Sequence, residues 1–273
     1  MPEANAESAT RDGSDAGAVV DCRSLERRFR GLVALKGVDL RIERGEIFGL
    51  VGPNGSGKTT LVNLITGFFA PQVGSIVLNG HDITGMAPHK VAARGVARTF
   101  QNLALFNGMS VLDNILLGRH IHMKPGVIRT ALYPWLSRKD EVANRIKVEE
   151  VIEFMQLQSV RDELVDGIPI GLKKRVELAR ALVAEPNFLI LDEPMAGMNQ
   201  EEKEYMARFI LDARDERNVT VLMIEHHMDV ITGICDRMMV LSYGETIRTG
   251  IPSEVMADER VINAYLGGAY AVQ

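Results

Sequence analysis

The 273 residues are 46% hydrophobic and 25% charged, close to an average soluble globular protein, so one large domain or a core with a subdomain can bury a sizeable interior. The 31 Lys+Arg against 36 Asp+Glu leave a net charge of -5, which argues against the concentrated basic surface of a nucleic-acid binder and falls short of a disordered acidic chain. Two cysteines, Cys22 and Cys235, make neither a disulfide framework nor a structural zinc site; they read as unpaired thiols of a reducing compartment.

Residues 1–18 are rich in Ala, Gly, Ser, Asp and Glu, with Arg11 as the one basic residue, and are expected to be a disordered tail without an assigned role. They lack the basic start and apolar middle of a signal peptide, and no run approaches the ~18 apolar residues of a membrane span. The expectation is a soluble, cytoplasmic chain. From Val19 to Phe29 and from Val38 to Ile42, apolar and polar residues alternate as in half-buried antiparallel strands. Glu46 to Val51 is a nearly continuous apolar run that stops at Gly52-Pro53-Asn54-Gly55-Ser56-Gly57-Lys58-Thr59-Thr60. Beyond it Leu61, Leu64 and Ile65 share a helical face.

Gly74 to Leu78 predicts a strand with an Asn79-Gly80 turn. Val111 to Leu164 predicts a mostly helical insertion, broken by a loop around Pro125 and Pro134, with Val148, Val151, Ile152 and Met155 at helical spacing. A helix is predicted over 176–183, a strand over 188–191, a helix over 201–214 and a strand over 219–224. Met238 to Leu241 then leads into a hairpin at Tyr243-Gly244-Glu245. Strands alternating with helices predict an α/β fold whose mainly parallel sheet is covered on both faces.

Gly52-x-x-x-x-Gly57-Lys58-Thr59, between a strand and a helix, carries the strongest chemistry. Glycines let backbone N–H groups approach a phosphate closely, and the helix that follows directs its positive end there. Lys58 is placed to reach the β- and γ-phosphates and the Thr59 hydroxyl to ligate Mg²⁺, so a nucleoside triphosphate is the expected ligand. Asp192 closes an apolar strand at its carboxyl end, where open α/β sheets bind ligands, and is the metal-side carboxylate. Beside it Glu193 is suited to deprotonate an attacking water. His226 follows a third core strand, and His227 competes with it on sequence alone. Gln101 in Arg98-Thr99-Phe100-Gln101 is uninformative in isolation.

Taken together, these residues resemble the ATP-binding subunit of an ABC transporter, from about Val19 to the carboxyl end. The resemblance implies a P-loop NTPase (RecA-like) parallel core, an antiparallel β subdomain and a helical subdomain over about 106–174. Gly52 to Thr60 matches the Walker A loop, Phe188 to Asp192 the Walker B strand, and Glu193 the catalytic base. Gln101 matches the Q-loop glutamine, a contact of Mg²⁺ or the attacking water. His226 matches the switch histidine, and Phe29 the aromatic that stacks on adenine, where the ordinary alternative is a core phenylalanine at a strand end. Leu191 to Asn199, Ile224-Glu225-His226 and Ala264-Tyr265-Leu266-Gly267 resemble the branched-chain amino-acid uptake group, whose relatives also take up urea, amides and aromatic acids.

Two positions depart from the family. Where the signature usually reads Leu-Ser-Gly-Gly-Gln, this chain has Ile168-Pro169-Ile170-Gly171-Leu172. Pro169 offers neither hydroxyl nor N–H to a partner's γ-phosphate, a loss of about two charged hydrogen bonds at ~1.5–3 kcal/mol each. Lys173-Lys174-Arg175 then reads as a solvated basic face or as a compensating phosphate contact. Asn199 stands where most of the family has an aspartate, as is common in the uptake group.

The resemblance therefore implies ATP and Mg²⁺ as cofactors, and turnover that powers import of a small solute. Its implied partners are a second ATPase subunit with an intact signature, two transmembrane permease subunits and, indirectly, an extracytoplasmic solute-binding protein. The chain would lie on the inner face of the membrane. The alternatives are a non-transport ABC ATPase and a subunit that holds ATP with little turnover.

Overall fold

In the computed structural model, which describes residues 17–100, 103–121 and 134–270, the hydrophobic runs separate into two sheets. The larger contains β3 (Ile47–Val51), β6 (Val96–Arg98), β7 (Phe188–Asp192), β8 (Thr220–Ile224), β9 (Arg237–Ser242) and β10 (Glu245–Gly250), in the order β10-β9-β3-β8-β7-β6. Its pairings are parallel except for the β9–β10 hairpin. The smaller is antiparallel, in the order β2-β1-β4-β5, from β1 (Ala18–Phe29), β2 (Leu32–Glu43), β4 (Val73–Leu78) and β5 (His81–Asp82).

The uninterrupted apolar stretches of β3, β7 and β8 follow from burial on both faces. Every residue of the three strands is buried, and alternate side chains serve different cores. Ile47, Val51, Leu189, Leu191, Val221 and Met223 pack with the helices that follow β6. Phe48, Leu50, Phe188, Ile190, Leu222 and Ile224 pack with the antiparallel sheet and with α1 (Lys58–Ile65). The helices in chain order are α2 (Pro88–Ala92), α3 (Val111–Leu117), α4 (Pro134–Phe154), α5 (Ile170–Leu182), α6 (Gln200–Arg217), α7 (Met228–Ile234), α8 (Pro252–Met256) and α9 (Glu259–Tyr270). The α4 pattern is met: Val148, Val151 and Ile152, with Met155 just beyond the helix, are all buried.

Several expected boundaries move. Strand β1 starts at Ala18, inside the expected tail, and the Arg44 N–H donates to the Gly17 carbonyl at 3.0 Å. Strand β2 begins six residues before Val38, because its length is set by pairing with β1 rather than by its own alternation. The loop expected around Pro125 lies outside the described residues, and α4 is described from Pro134 onward. Helix α5 begins at Ile170, six residues before the expected start, with the Lys173 N–H donating to the Pro169 carbonyl at 3.0 Å. The basic run therefore lies inside the helix. Short elements such as β5, β6 and α2 carry too few residues to show a period. Asn79 and Gly80, both at positive φ (48° and 75°), form the tight turn between β4 and β5.

Candidate functional site

Strand β8 lies between β3 and β7, with Ile224 opposite Leu50 on one side and Asp192 on the other. The carboxyl ends of three neighbouring strands therefore release the glycine loop, the Asp192-Glu193 pair and the segment holding His226 at one edge. They line a common cavity of about 550 Å³ with Phe29, Lys58, Thr59, Thr60 and the loop residues from Asn54 to Gly57.

The loop is shaped by close approach. Gly52 (φ 149°) and Gly57 (φ 109°) leave no room for a side chain: a Cβ would stand 2.0 Å from the Leu241 carbonyl oxygen at Gly52 and 2.7 Å from that of Ala34 at Gly57. Gly55 (φ 76°) has open space above it. Ser56 is buried, and its Oγ has no hydrogen-bond partner among the described residues. The Lys58 ammonium is folded onto the loop, donating to the carbonyls of Gly52 at 2.6 Å and Pro53 at 3.1 Å. Burial pulls its pKa below the ordinary lysine value, against the opposing pull of Glu193 and Asp192. Gly52 and Pro53 thus serve the lysine rather than the cavity wall.

Asp192 is 7% exposed and accepts from Arg98 Nη2 at 2.8 Å. Glu193 has a left-handed backbone (φ 51°), and its Oε1 lies 2.5 Å from His226 Nε2. His227 instead meets Glu225 Oε2 through Nδ1 at 3.0 Å, so the two neighbouring histidines face different carboxylates. Phe29 lines the cavity but also meets Phe69 edge-on, with ring centroids 5.2 Å apart and the Arg27 guanidinium 4.9 Å from its own. Gln101 lies outside the described residues.

At the amino end of α5, Pro169 precedes the helix with no side-chain cap. Ile168 is buried and Ile170 is exposed, while Leu172 packs against the helical core. Gly171 lies against α6: a Cβ there would be 2.3 Å from Glu202 Oε1. That carboxylate completes a capping box with Asn199, in which the Asn199 side-chain oxygen accepts from the Glu202 N–H, a role an aspartate would fill equally well.

The solvated-face reading of the basic run is corrected at Lys174 and Arg175. Lys174 is buried, donates to the Glu193 carbonyl at 3.4 Å and pairs with Glu177 at 3.9 Å. Arg175 donates to the carbonyls of Met155 and Gln156 and stacks on Phe209. Lys173 donates to the Asp166 carbonyl at 3.2 Å. Lys174 and Arg175 stitch the interior instead of forming a solvated face, and all three bind protein acceptors.

Sequence reasoning passed over Glu225, Arg98, Glu177 and Tyr243, and misread Lys174. Glu225, 1% exposed, accepts from the N–H groups of Met195 and His226 as well as from His227, tying the loop after β7 to the segment after β8. Arg98 and the Lys174–Glu177 pair act across distant segments. For Arg98 the one signal was charge inside an otherwise apolar window; for Lys174, inside the run Lys173-Lys174-Arg175, there was none. Tyr243, at the β9–β10 turn, adds an exposed aromatic to the cavity rim.

The residues fit a magnesium-bound triphosphate. The described residues contain no cluster of three or more His, Cys, Asp or Glu able to cage a metal. Magnesium carried by phosphates needs no such cage, only one or two protein oxygens of the kind that Thr59 and Asp192 present on this cavity.

The sequence pattern of the family described as ABC transporter matches residues 35–196, and that of the branched-chain amino acid ATP-binding cassette transporter matches residues 247–271. The chain is 36% identical over 251 residues to the high-affinity branched-chain amino acid transport ATP-binding protein BraF of Pseudomonas aeruginosa, covering 92% of this chain and 98% of that one. It is 36% identical over 245 residues to LivG of Salmonella typhimurium, of the same description, covering 90% and 96%. A solved nucleotide-free ATP-binding cassette from an ABC transporter superposes with a TM-score of 0.80 at 28% identity, over 91% of this chain and 98% of that one.

Proposed function

The chain belongs to the ABC transporter ATP-binding family, and we propose that it hydrolyses ATP to drive uptake of branched-chain or related amino acids through separate permease subunits. The observation that carries this is the meeting of Lys58, Asp192, Glu193 and His226 on one cavity beside the glycine loop.

Lys58 and the loop amides bind the phosphates, and the ammonium exchanges its carbonyl acceptors for phosphate oxygens. Thr59 and Asp192 would hold Mg²⁺, which when bound neutralises charge on the β- and γ-phosphates. Glu193 accepts the proton of the attacking water, and His226 keeps its carboxylate aimed into the cavity. Phe29 stacks on the base. The Glu193 carbonyl is held by Lys174, so the base is anchored through its own backbone.

The second groove of the molecule, about 650 Å³, receives the permease. Phe68, Phe100, Phe106 and Leu117 expose apolar surface along it, between the sheet and the helices that follow β6. Among the described residues no helix is long and apolar enough to cross a membrane, so the chain would reach the membrane through that contact.

In a two-ATPase assembly each nucleotide lies between one chain's glycine loop and the other's signature. This chain brings a full set of residues on the first side. On the second it offers Pro169, which has no N–H, and an exposed Ile170. Its own site therefore turns over when a different ATPase subunit supplies an intact signature, while the opposite site is slow. Glu193→Gln in the assembled transporter is expected to abolish most steady-state hydrolysis. Turnover near the parent value would sink the assignment.

A further inference from the structure

Resting on that reading, we infer that Arg98 is a positioning residue that holds Asp192 with its own positive charge and must yield it to Mg²⁺, so that Arg98 sets the magnesium requirement of nucleotide binding. Arg98 ends β6, and its partner ends the neighbouring strand β7. The pair is nearly dry, with side chains 10% and 9% exposed. One arm of the guanidinium reaches Asp192 Oδ2 at 2.8 Å, and the other reaches Asn63 Oδ1 at 2.7 Å on α1, the helix that begins with Lys58 and Thr59. The cation thus spans the two segments that would hold the metal.

The attachment is incomplete: the buried Arg98 Nε, like those of Arg27 and Arg161, has no hydrogen-bond partner among the described residues. Arg119, by contrast, uses Nε for Asn144 and Nη1 for the Val183 carbonyl and Glu185. What sets Arg98 apart is that it joins the strand end at Asp192 to the helix that begins with Lys58 and Thr59. The Arg98 guanidinium also lies 5.2 Å from the centre of the Phe100 ring, on the wall of the second groove. Released from Asp192, it keeps Asn63 and that aromatic face. A carboxylate facing two cations at once forces them to repel each other, and at a nearly dry site this repulsion is weakly screened.

The test is titration of the full-length chain with a fluorescent non-hydrolysable ATP analogue, at magnesium concentrations from none (with chelator) to millimolar. Arg98→Gln keeps hydrogen-bonding groups and removes the charge. It is expected to reach half-maximal binding at about tenfold less magnesium, the scale of one like-charge contact removed. Without magnesium it should bind the bare tetra-anion equally or less tightly. Arg98→Lys, which keeps the charge, should follow the parent. A merely structural arginine would weaken both arms together, and that result, or an unchanged magnesium midpoint, overturns the inference. A parent chain that binds no nucleotide in either arm would instead overturn the ATPase reading.

Should Arg98→Gln not fold, the parent reports by itself through the side-chain nitrogen resonances of Arg98. Guanidinium rotation, slowed by the ion pair, is expected to quicken when magnesium and nucleotide are added together and to stay slow with nucleotide and chelator. Rotation that is the same under both conditions rejects the competition.

Discussion

Replacing Lys174 by methionine removes a buried cation and strands its partner. The ammonium stands 3.9 Å from Glu177 Oε2, with both side chains at most 4% exposed, and donates to the Glu193 carbonyl at 3.4 Å. Breaking a buried pair from one side costs about 3–5 kcal/mol. The lower end applies here, because the separation is long and Glu177 still accepts from the Phe100 N–H at 3.3 Å. Burial also pushes the Glu177 carboxyl above the usual carboxylate pKa, so it neutralises more readily once its cation is gone. About 3 kcal/mol corresponds to a Tm lower by about 6–12 °C in a chain of this size. Adding Glu177→Gln removes the stranded charge while keeping an acceptor, and should return about 2 kcal/mol of that loss as coupling energy. Thermal unfolding of the four proteins, followed by circular dichroism, closes the cycle. ATP turnover should not recover in the double variant, since the donor to the Glu193 carbonyl is still missing. A Tm loss under about 2 °C for Lys174→Met, or a double variant no more stable than the single, would show that no buried ion pair operates there.

Glu225→Ala orphans the buried N–H of Met195, a loss of about 1–3 kcal/mol, frees the part-buried N–H of His226 at less cost, and should lower both Tm and turnover; Glu225→Gln, which keeps an acceptor, should be milder in both. Phe29→Ala should weaken ATP binding by about 1–3 kcal/mol, as for loss of a base-stacking aromatic, while inorganic tripolyphosphate binds as before; equal loss for both ligands would deny the stacking role. Bound phosphates favour the charged form of Lys58, whose pKa burial lowers. Affinity should therefore hold near neutral pH and decline in the alkaline range before an ordinary lysine would titrate, with proton uptake on binding measured by calorimetry in two buffers. Alkaline binding without proton uptake would exclude Lys58 as the phosphate-facing cation.

Much of this protein was legible in its residues because the relevant physics is local. A glycine loop between an apolar strand and a helix specifies its own geometry, since only glycine fits at Gly52 and Gly57. Fully apolar strands announced a sheet covered on both faces, and the Asp192-Glu193 step was visible because carboxylates at the end of such a strand are otherwise costly. The contacts between distant segments were not legible. Nothing near Lys174 tells that its ammonium turns inward toward Glu193, and nothing near Arg98 names Asp192, 94 positions away, as its partner. His226 and His227 are neighbours of one type, and only the placement of Glu193 and Glu225 gives them different partners. Sequence determined which groups can bind a phosphate, hold a metal or take a proton, because those capacities belong to side chains and to the backbone beside them. Tertiary structure decided which charges meet, because burial and pairing arise only where strands far apart in the chain lie side by side.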